Sequence, residues 1–262
     1  MRLHVVHHGI RRRRALRRRA LWAGGEVLVT VGVVLLLLVV HQLWWTNREA
    51  REGAEREVEA LERSWAEGEH DNRPSDTTAT AATTPPSPDP ASEQPAAPRQ
   101  PPAADARPSS PRWSQAYAIL TIPRLHLRIP VAEGTSKRNV LNKGYVGHYP
   151  GTQQPGQTGN FALAGHRNSH GEPFRYINRL VPRDTIRVET ESATYTYTVD
   201  KTLPQTSAHD ASVIHPVPRS TARPAYGYTD PGHYLTLTTC TPEYTSKYRL
   251  VVWGRLASVR PR

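Results

Sequence analysis

Residues 234–243 read Tyr-Leu-Thr-Leu-Thr-Thr-Cys-Thr-Pro-Glu. β-branched and apolar residues alternate up to Cys240, and Pro242 then ends the run, which is the pattern of a strand meeting a loop. Nine residues on, Arg249 opens a second apolar run, Arg-Leu-Val-Val-Trp-Gly. If the loop between them turns back antiparallel, Arg249 returns to the strand end that carries the thiol. A third segment lies upstream. Asn160 to Arg167 reads Asn-Phe-Ala-Leu-Ala-Gly-His-Arg, an apolar strand that ends in Gly-His.

Working outward from these three segments, residues 113–262 read as one domain built mostly of strands. The spacing predicts strands over 118–122, 127–131, 160–164, 184–189, 193–201, 234–239 and 248–255. The clearest alternation is Ala-Thr-Tyr-Thr-Tyr-Thr-Val at 193–199. Gly and Pro clusters such as Tyr149-Pro150-Gly151 and Gln154-Pro155-Gly156 punctuate the runs. Short helices are expected at 137–141 and 173–180. Many short strands separated by turn signals favour an all-β closed barrel.

Cys240 is the only cysteine in the chain, so it cannot form an internal disulfide. A thiol at a strand end can act as a nucleophile when a neighbouring charge favours the thiolate. A guanidinium at Arg249 can donate to a developing oxyanion. An imidazole at His166 can protonate a leaving amine and later deprotonate an incoming one. His166 comes from a separate strand end, and the apolar strands around Cys240 disfavour a buried charge. Only a minor fraction of thiolate paired with imidazolium is therefore expected at neutral pH. Thr238 and Thr239 are expected to line the groove beside the thiol. His126, His148 and His170 lack this supporting pattern and are read as structural.

Taken together, Thr-Leu-Thr-Thr-Cys (236–240) followed by Arg249, and Ala-Gly-His-Arg (164–167), resemble the signature motifs of sortases. The order His, Cys, Arg and the separation of 74 positions from His166 to Cys240 agree with that family. With His-Tyr-Pro-Gly-Thr (148–152), Pro-Gly-Gln-Thr-Gly-Asn (155–160) and Thr-Cys-Thr-Pro-Glu-Tyr (239–244), the chain is most similar to class E housekeeping sortases. The resemblance covers essentially residues 113–262. It implies an eight-stranded sortase-type barrel and a catalytic trio of His166, Cys240 and Arg249. It implies cleavage of a C-terminal Leu-Ala-x-Thr-Gly or Leu-Pro-x-Thr-Gly-like sorting signal between Thr and Gly through a thioacyl-enzyme, resolved by a peptidoglycan precursor amine. The partners it implies are surface proteins bearing that signal. Two other readings compete: a catalytically silent, membrane-tethered wall-binding module, and a pilus-polymerising sortase. Ser169-His170-Gly171 resembles the start of an L,D-transpeptidase motif, but Glu172 stands where the nucleophile belongs. Papain-like wall hydrolases place Cys before His, the reverse of the order here.

The rest of the chain reads as tether. Residues 1–20 carry eight Arg and no acid, a cytoplasmic basic head. Residues 21–45 follow as Leu-Trp-Ala-Gly-Gly-Glu and an apolar run from Val27 to Val40, ending at Trp44-Trp45. As a helix this segment is about 37 Å long, enough to cross a hydrocarbon core of about 30 Å. The Arg cluster orients it with the N-terminus inside and the domain outside, and the tryptophans match an interfacial belt. The residues after the apolar run, His41-Gln42-Leu43, are too bulky for a signal-peptide cleavage site, so an uncleaved single-pass anchor is expected. Residues 46–69 place Ala50, Ala54, Val58, Leu61 and Trp65 on one helical stripe, a stalk that either self-associates or stands solvated. Residues 70–112 hold eleven Pro and almost no large apolar side chain, the composition of a disordered linker.

The net charge of +11 has two sources, the head and the last 150 residues, where eighteen basic residues face nine acidic ones. A basic domain suits nucleic acid, an anionic membrane or an anionic wall polymer. Without an aromatic-basic platform or a Gly-rich phosphate loop, no nucleic-acid partner is expected. The scattered acids suggest no metal site, and no cofactor is expected.

Overall fold

The computed structural model describes residues 8–71 and 111–262, and the side chains of 19, 21–68 and 111–262. Most of the linker assigned to 70–112 lies outside the described residues, as do residues 1–7 of the basic head. One helix, α1 (His8–Asp71), runs continuously through the expected head, span and stalk. Its apolar stretch from Leu21 to Val40 is exposed throughout, and it is the one described helix long and apolar enough to cross a membrane.

The strands are β1 (Ala116–Ile122), β2 (Leu127–Glu133), β3 (Val146–His148), β4 (Gly159–Ala164), β5 (Thr185–Thr190), β6 (Ala193–Ser207), β7 (His233–Thr241) and β8 (Tyr248–Pro261). They close into a barrel in the order β1-β2-β3-β4-β7-β8-β6-β5. The pairings β2–β3 and β4–β7 are parallel and the remaining six are antiparallel. Closure leaves no open sheet edge. All seven expected strands form. The eighth, β3, is only three residues long, Val-Gly-His, too short to show a period of two. The expected helices shrink to 3-10 turns at Leu141–Lys143 and Ile177–Arg179, with other turns before them.

Alternation along the strands sorts the side chains between two apolar clusters. Leu235 and Leu237 of β7, with Leu250 and Val252 of β8, point into the barrel with Phe161, Leu163, Val188 and Tyr197. The intervening residues face outward. There Tyr234, Val251 and Trp253 are covered by Val213 and Tyr228 from the β6–β7 connection. Trp253 Nε1 donates to Val213 O at 3.1 Å, which ties that connection down over the sheet.

The stripe of the stalk does not stand in water; it packs along the barrel. Ala50, Ala54, Val58 and Trp65 are buried, and Val58, Leu61 and Trp65 cover Ile119 on the outer face of β1. The reason lies in β1 itself. Ala118, Leu120 and Ile122 fill the barrel core while Ile119 points the other way, so the strand needs cover on both faces. Polar contacts fix the register. Tyr145 Oη donates to Glu57 Oε2 at 3.1 Å, and Arg128 pairs with Glu62. Gly144 makes the close approach possible: it has φ +83°, and a Cβ there would lie 2.7 Å from Ala50 O.

Candidate active site

Cys240 and Arg249 are directly opposed residues of the antiparallel β7–β8 pair. Opposed side chains in such a pair lie on one face of the sheet with Cβ atoms about 4.5–5.5 Å apart. That face is the outer one, because Cys240 continues the outward series Tyr234, Thr236, Thr238, and Arg249 the series Trp253, Val251. Both residues are half-buried, at the strand ends where the β7–β8 loop begins and returns. Arg249 Nη1 donates to Ser246 O at 2.9 Å and to Tyr248 O at 3.0 Å. The guanidinium is thus braced from one nitrogen.

The third residue arrives through the parallel β4–β7 pair. Ala164 is in register with Thr238. Extending that register by two residues brings His166 level with Cys240. Gly165 N donates to Thr238 O at 3.2 Å, and Thr239 Oγ1 donates to Gly165 O at 2.8 Å, so the register holds past the end of β4. Glycine is required at 165: a Cβ there would lie 2.7 Å from the Phe174 ring.

Thr238 and Thr239 are each 3% exposed. Thr238 Oγ1 donates to Leu163 O at 3.2 Å and contacts Tyr149 Oη at 3.0 Å. Both hydroxyls are therefore engaged in stitching β7 to β4 beneath the thiol.

Three neighbours of the site were not picked out by sequence reasoning. Arg167 is 7% exposed, and its Nη1 donates to Cys240 O at 3.1 Å and Thr241 Oγ1 at 2.9 Å. It bridges the end of β4 to the end of β7, with Glu243 3.7 Å from Nη2. Its place in Ala-Gly-His-Arg was a visible signal without a role. Asn142 Oδ1 accepts from His166 Nε2 at 2.9 Å, which leaves the lone pair of the neutral ring on Nδ1. Nothing in the sequence around Asn142 marked it. His170, read from sequence as structural, stacks on His166 with ring centroids 5.2 Å apart. The other two histidines so read stand apart from this group. His148 is buried, with Glu133 Oε2 2.7 Å from Nδ1 and Thr152 Oγ1 2.9 Å from Nε2. His126 caps a 3-10 turn with φ +48°.

These surroundings set the charge state of His166. Burial pushes its imidazole down, and repulsion from His170 and Lys137 adds to that, leaving a pKa of about 4. The ring is neutral at every pH well above that value. A neutral His166 forms no imidazolium–thiolate pair, so alkylation of Cys240 is expected to lack the fast, pH-independent plateau that such a pair gives. Trapping with iodoacetamide at a series of pH values, read by mass spectrometry, checks this. Fast alkylation that stays flat from about pH 5 to 8 would show a preformed ion pair and refute it. Among the described residues no cluster of His, Cys, Asp or Glu could hold a metal ion.

Comparison with known proteins agrees with this geometry. The family model for the sortase domain matches residues 120–257. Sortase SrtE1 of Streptomyces coelicolor is 41% identical over 243 residues, which span 91% of this chain and 57% of that protein. Sortase SrtE2 of the same organism is 33% identical over 95% of this chain and 86% of its own length. Among solved structures, the crystal structure of Sortase E1 from Streptomyces coelicolor with a tripeptide in the active site is 51% identical. It superposes with a TM-score of 0.54, covering 57% of this chain and 92% of that one. A barrel of this topology carrying Cys240, Arg249 and His166 at one end, matched in sequence and in structure over that same domain, means that the chain belongs to the sortase family of cysteine transpeptidases, close to its class E members.

Proposed function

We propose that this chain is a membrane-anchored transpeptidase that cleaves a C-terminal sorting signal between Thr and Gly and passes the acyl group to a cell-wall amine. Cys240 Sγ, as thiolate, attacks the Thr carbonyl carbon. The tetrahedral oxyanion is met by N–H groups of Arg249. His166, as imidazolium, gives its proton to the departing Gly amine as the C–N bond breaks, leaving a thioacyl-enzyme. An incoming amine then loses a proton to the neutral His166, attacks the thioester and expels Cys240 as thiolate. Protons and charge return to the starting state. Thr238, on the outer face with Cys240, forms the buried floor of the groove, and Thr239 ties β7 to Gly165 beside His166.

The observation that carries this reading is the register. The β7–β8 pairing sets Cys240 opposite Arg249, and the parallel β4–β7 pairing ends two residues before His166, which supports a shared role for the three at that end of the barrel. The low pKa of His166 keeps the reactive thiolate–imidazolium pair rare in the free chain. Residues 113–262 are the catalytic domain, 70–112 the linker, 46–69 the stalk, 21–45 the membrane span and 1–20 the cytoplasmic head, with the catalytic domain outside the cell. The class E resemblance supports a Leu-Ala-x-Thr-Gly signal over Leu-Pro-x-Thr-Gly, and the tripeptide in the active site of the Streptomyces coelicolor Sortase E1 structure supports a peptide substrate. The acceptor is the amine of a peptidoglycan precursor. Incubating the chain with synthetic peptides of both types and a small amine tests this by mass spectrometry. Cleavage after Thr with amine-dependent product is expected, and cleavage elsewhere or none would overturn the reading.

A further inference from the structure

The contacts between α1 and the barrel are ordered along the helix. Asn47, Arg51 and the carbonyl of Ala50 meet residues 144 and 171–172: Asn47 Nδ2 donates to Glu172 Oε1 at 3.2 Å, Asn47 Oδ1 accepts from Gly171 N at 3.2 Å, and Arg51 Nε donates to Gly171 O at 3.1 Å. Arg51 Nη2 also lies 3.2 Å from Glu172 Oε2. Further along, Trp65 covers Ile119 and stacks under Arg262 with the guanidinium 4.7 Å from its ring, and Gly68 lies beside Glu191 in the β5–β6 turn. The barrel is therefore held lengthwise, with one end near residue 47 of the helix and the other near residue 68.

The end near residue 47 is the one that carries the site. Gly171 follows His170, whose ring stacks on His166. Glu172 pairs with Arg175 at 2.7 Å, and Arg175 Nη2 reaches Tyr244 Oη at 3.2 Å in the loop between Cys240 and Arg249. The apolar exposed stretch of α1 ends at Trp44-Trp45. Arg51 lies six residues beyond, which is about 9 Å along the helix axis. Trp44 even lines one cavity of about 480 Å³ together with Arg51, Glu172 and Arg175. Arg48 and Arg51 line this side, and Lys137 lies close enough to His166 to repel its proton.

We propose that α1 is a rigid clamp that turns the active-site end of the barrel toward the bilayer and fixes it on the order of 10 Å from the interface, so that the site acts on peptide segments emerging from the same membrane. The substrate class in this statement rests on the transpeptidase reading above; the orientation does not. A peptide tethered by a following transmembrane segment then presents its scissile bond at the height of Cys240. A peptide whose cleavage point stands far above the surface does not reach it.

Because Cys240 is the only thiol, its height can be measured without any catalysis. The full chain is reconstituted in vesicles containing a headgroup-labelled acceptor lipid, with a donor dye on Cys240. The reference carries the dye on Ser192→Cys in a Cys240→Ala background, at the exposed β5–β6 turn beside Gly68. The helix rise separates the two ends by about 25 Å, so transfer from Cys240 is expected to exceed that from the reference by roughly twofold or more. Equal transfer, or more from the reference, overturns the orientation. The second arm uses the double variant Asn47→Ala, Arg51→Glu, which removes the amide contacts and sets a carboxylate against Glu172. It is expected to bring the two transfer values together and to slow cleavage of vesicle-tethered peptide with a short spacer by roughly tenfold or more, with soluble peptide cleaved within about twofold of the wild-type rate. Equal slowing of both peptides would refute the clamp, since it would mean general damage to the site. Strong transfer from Cys240 in a chain that cleaves no peptide would support the orientation and refute the transpeptidase reading.

Discussion

Cys240→Ala is expected to reduce both peptide cleavage and amine transfer to background, a loss on the order of 10⁴-fold or more, because the thiolate is the group that forms the acyl bond. His166, Arg249, Asn142 and His170 offer nitrogen or amide groups, and the hydroxyls of Thr238 and Thr239 are buried and bonded to β4. The substitution removes a single half-exposed atom. Arg167 bonds to the carbonyl of residue 240 and not to its side chain, so β7 keeps its brace. The thermal midpoint should therefore move by only a few degrees, about what a 1 kcal/mol change produces in a domain of this size. A variant that folds as the parent and still yields a thioester with peptide, detected by mass spectrometry, would remove Cys240 from the nucleophile's role.

The second large effect concerns Arg249. Arg249→Lys keeps the positive charge at the strand end and loses the planar fork. Lysine presents three donors on one atom at the end of a flexible stem, whereas the arginine is braced through Nη1 on Ser246 O and Tyr248 O and carries its further N–H groups in a fixed planar fork. A lost oxyanion donor costs about 100-fold or more in kcat. The loss should appear in kcat and kcat/KM together, because the interaction forms in the transition state. The rate of Cys240 alkylation should change far less, since that reaction builds no oxyanion. Near-wild-type turnover by the lysine variant would leave Arg249 with a structural role only, as the brace of the β7–β8 loop.

Much of the site was legible because its residues sit where local patterns change. Cys240, Arg249 and His166 each mark the end of an apolar strand run. An antiparallel return from Cys240 to Arg249 needs only a short loop, so their proximity could be expected from spacing. The level position of His166 could not. It depends on β4 and β7 being parallel neighbours across a separation of 74 residues, and no local pattern encodes which distant strands pair. Arg167, Asn142 and His170 were missed for the same reason. Their partners come from other turns, and a buried arginine bonding a carbonyl looks in sequence like any surface cation.

What the sequence by itself determined was the division of the chain and the chemistry available to it. The apolar run before Trp44-Trp45, the proline-rich stretch, the alternating strands and the lone thiol at a strand end are all local, and hydrophobic periodicity or composition reads them directly. What only the tertiary structure decided was where the stalk goes and which way the site faces. The stripe Ala50, Ala54, Val58, Leu61, Trp65 shows that one face of the helix needs cover, but amphipathicity is silent about the partner. Ile119 supplies it, on a strand whose run Ala-Ile-Leu-Thr-Ile looks in sequence like any core strand. Burial on both faces of β1 requires the helix, the helix then fixes the barrel lengthwise, and that packing, which no single segment contains, sets the distance between the thiol and the membrane.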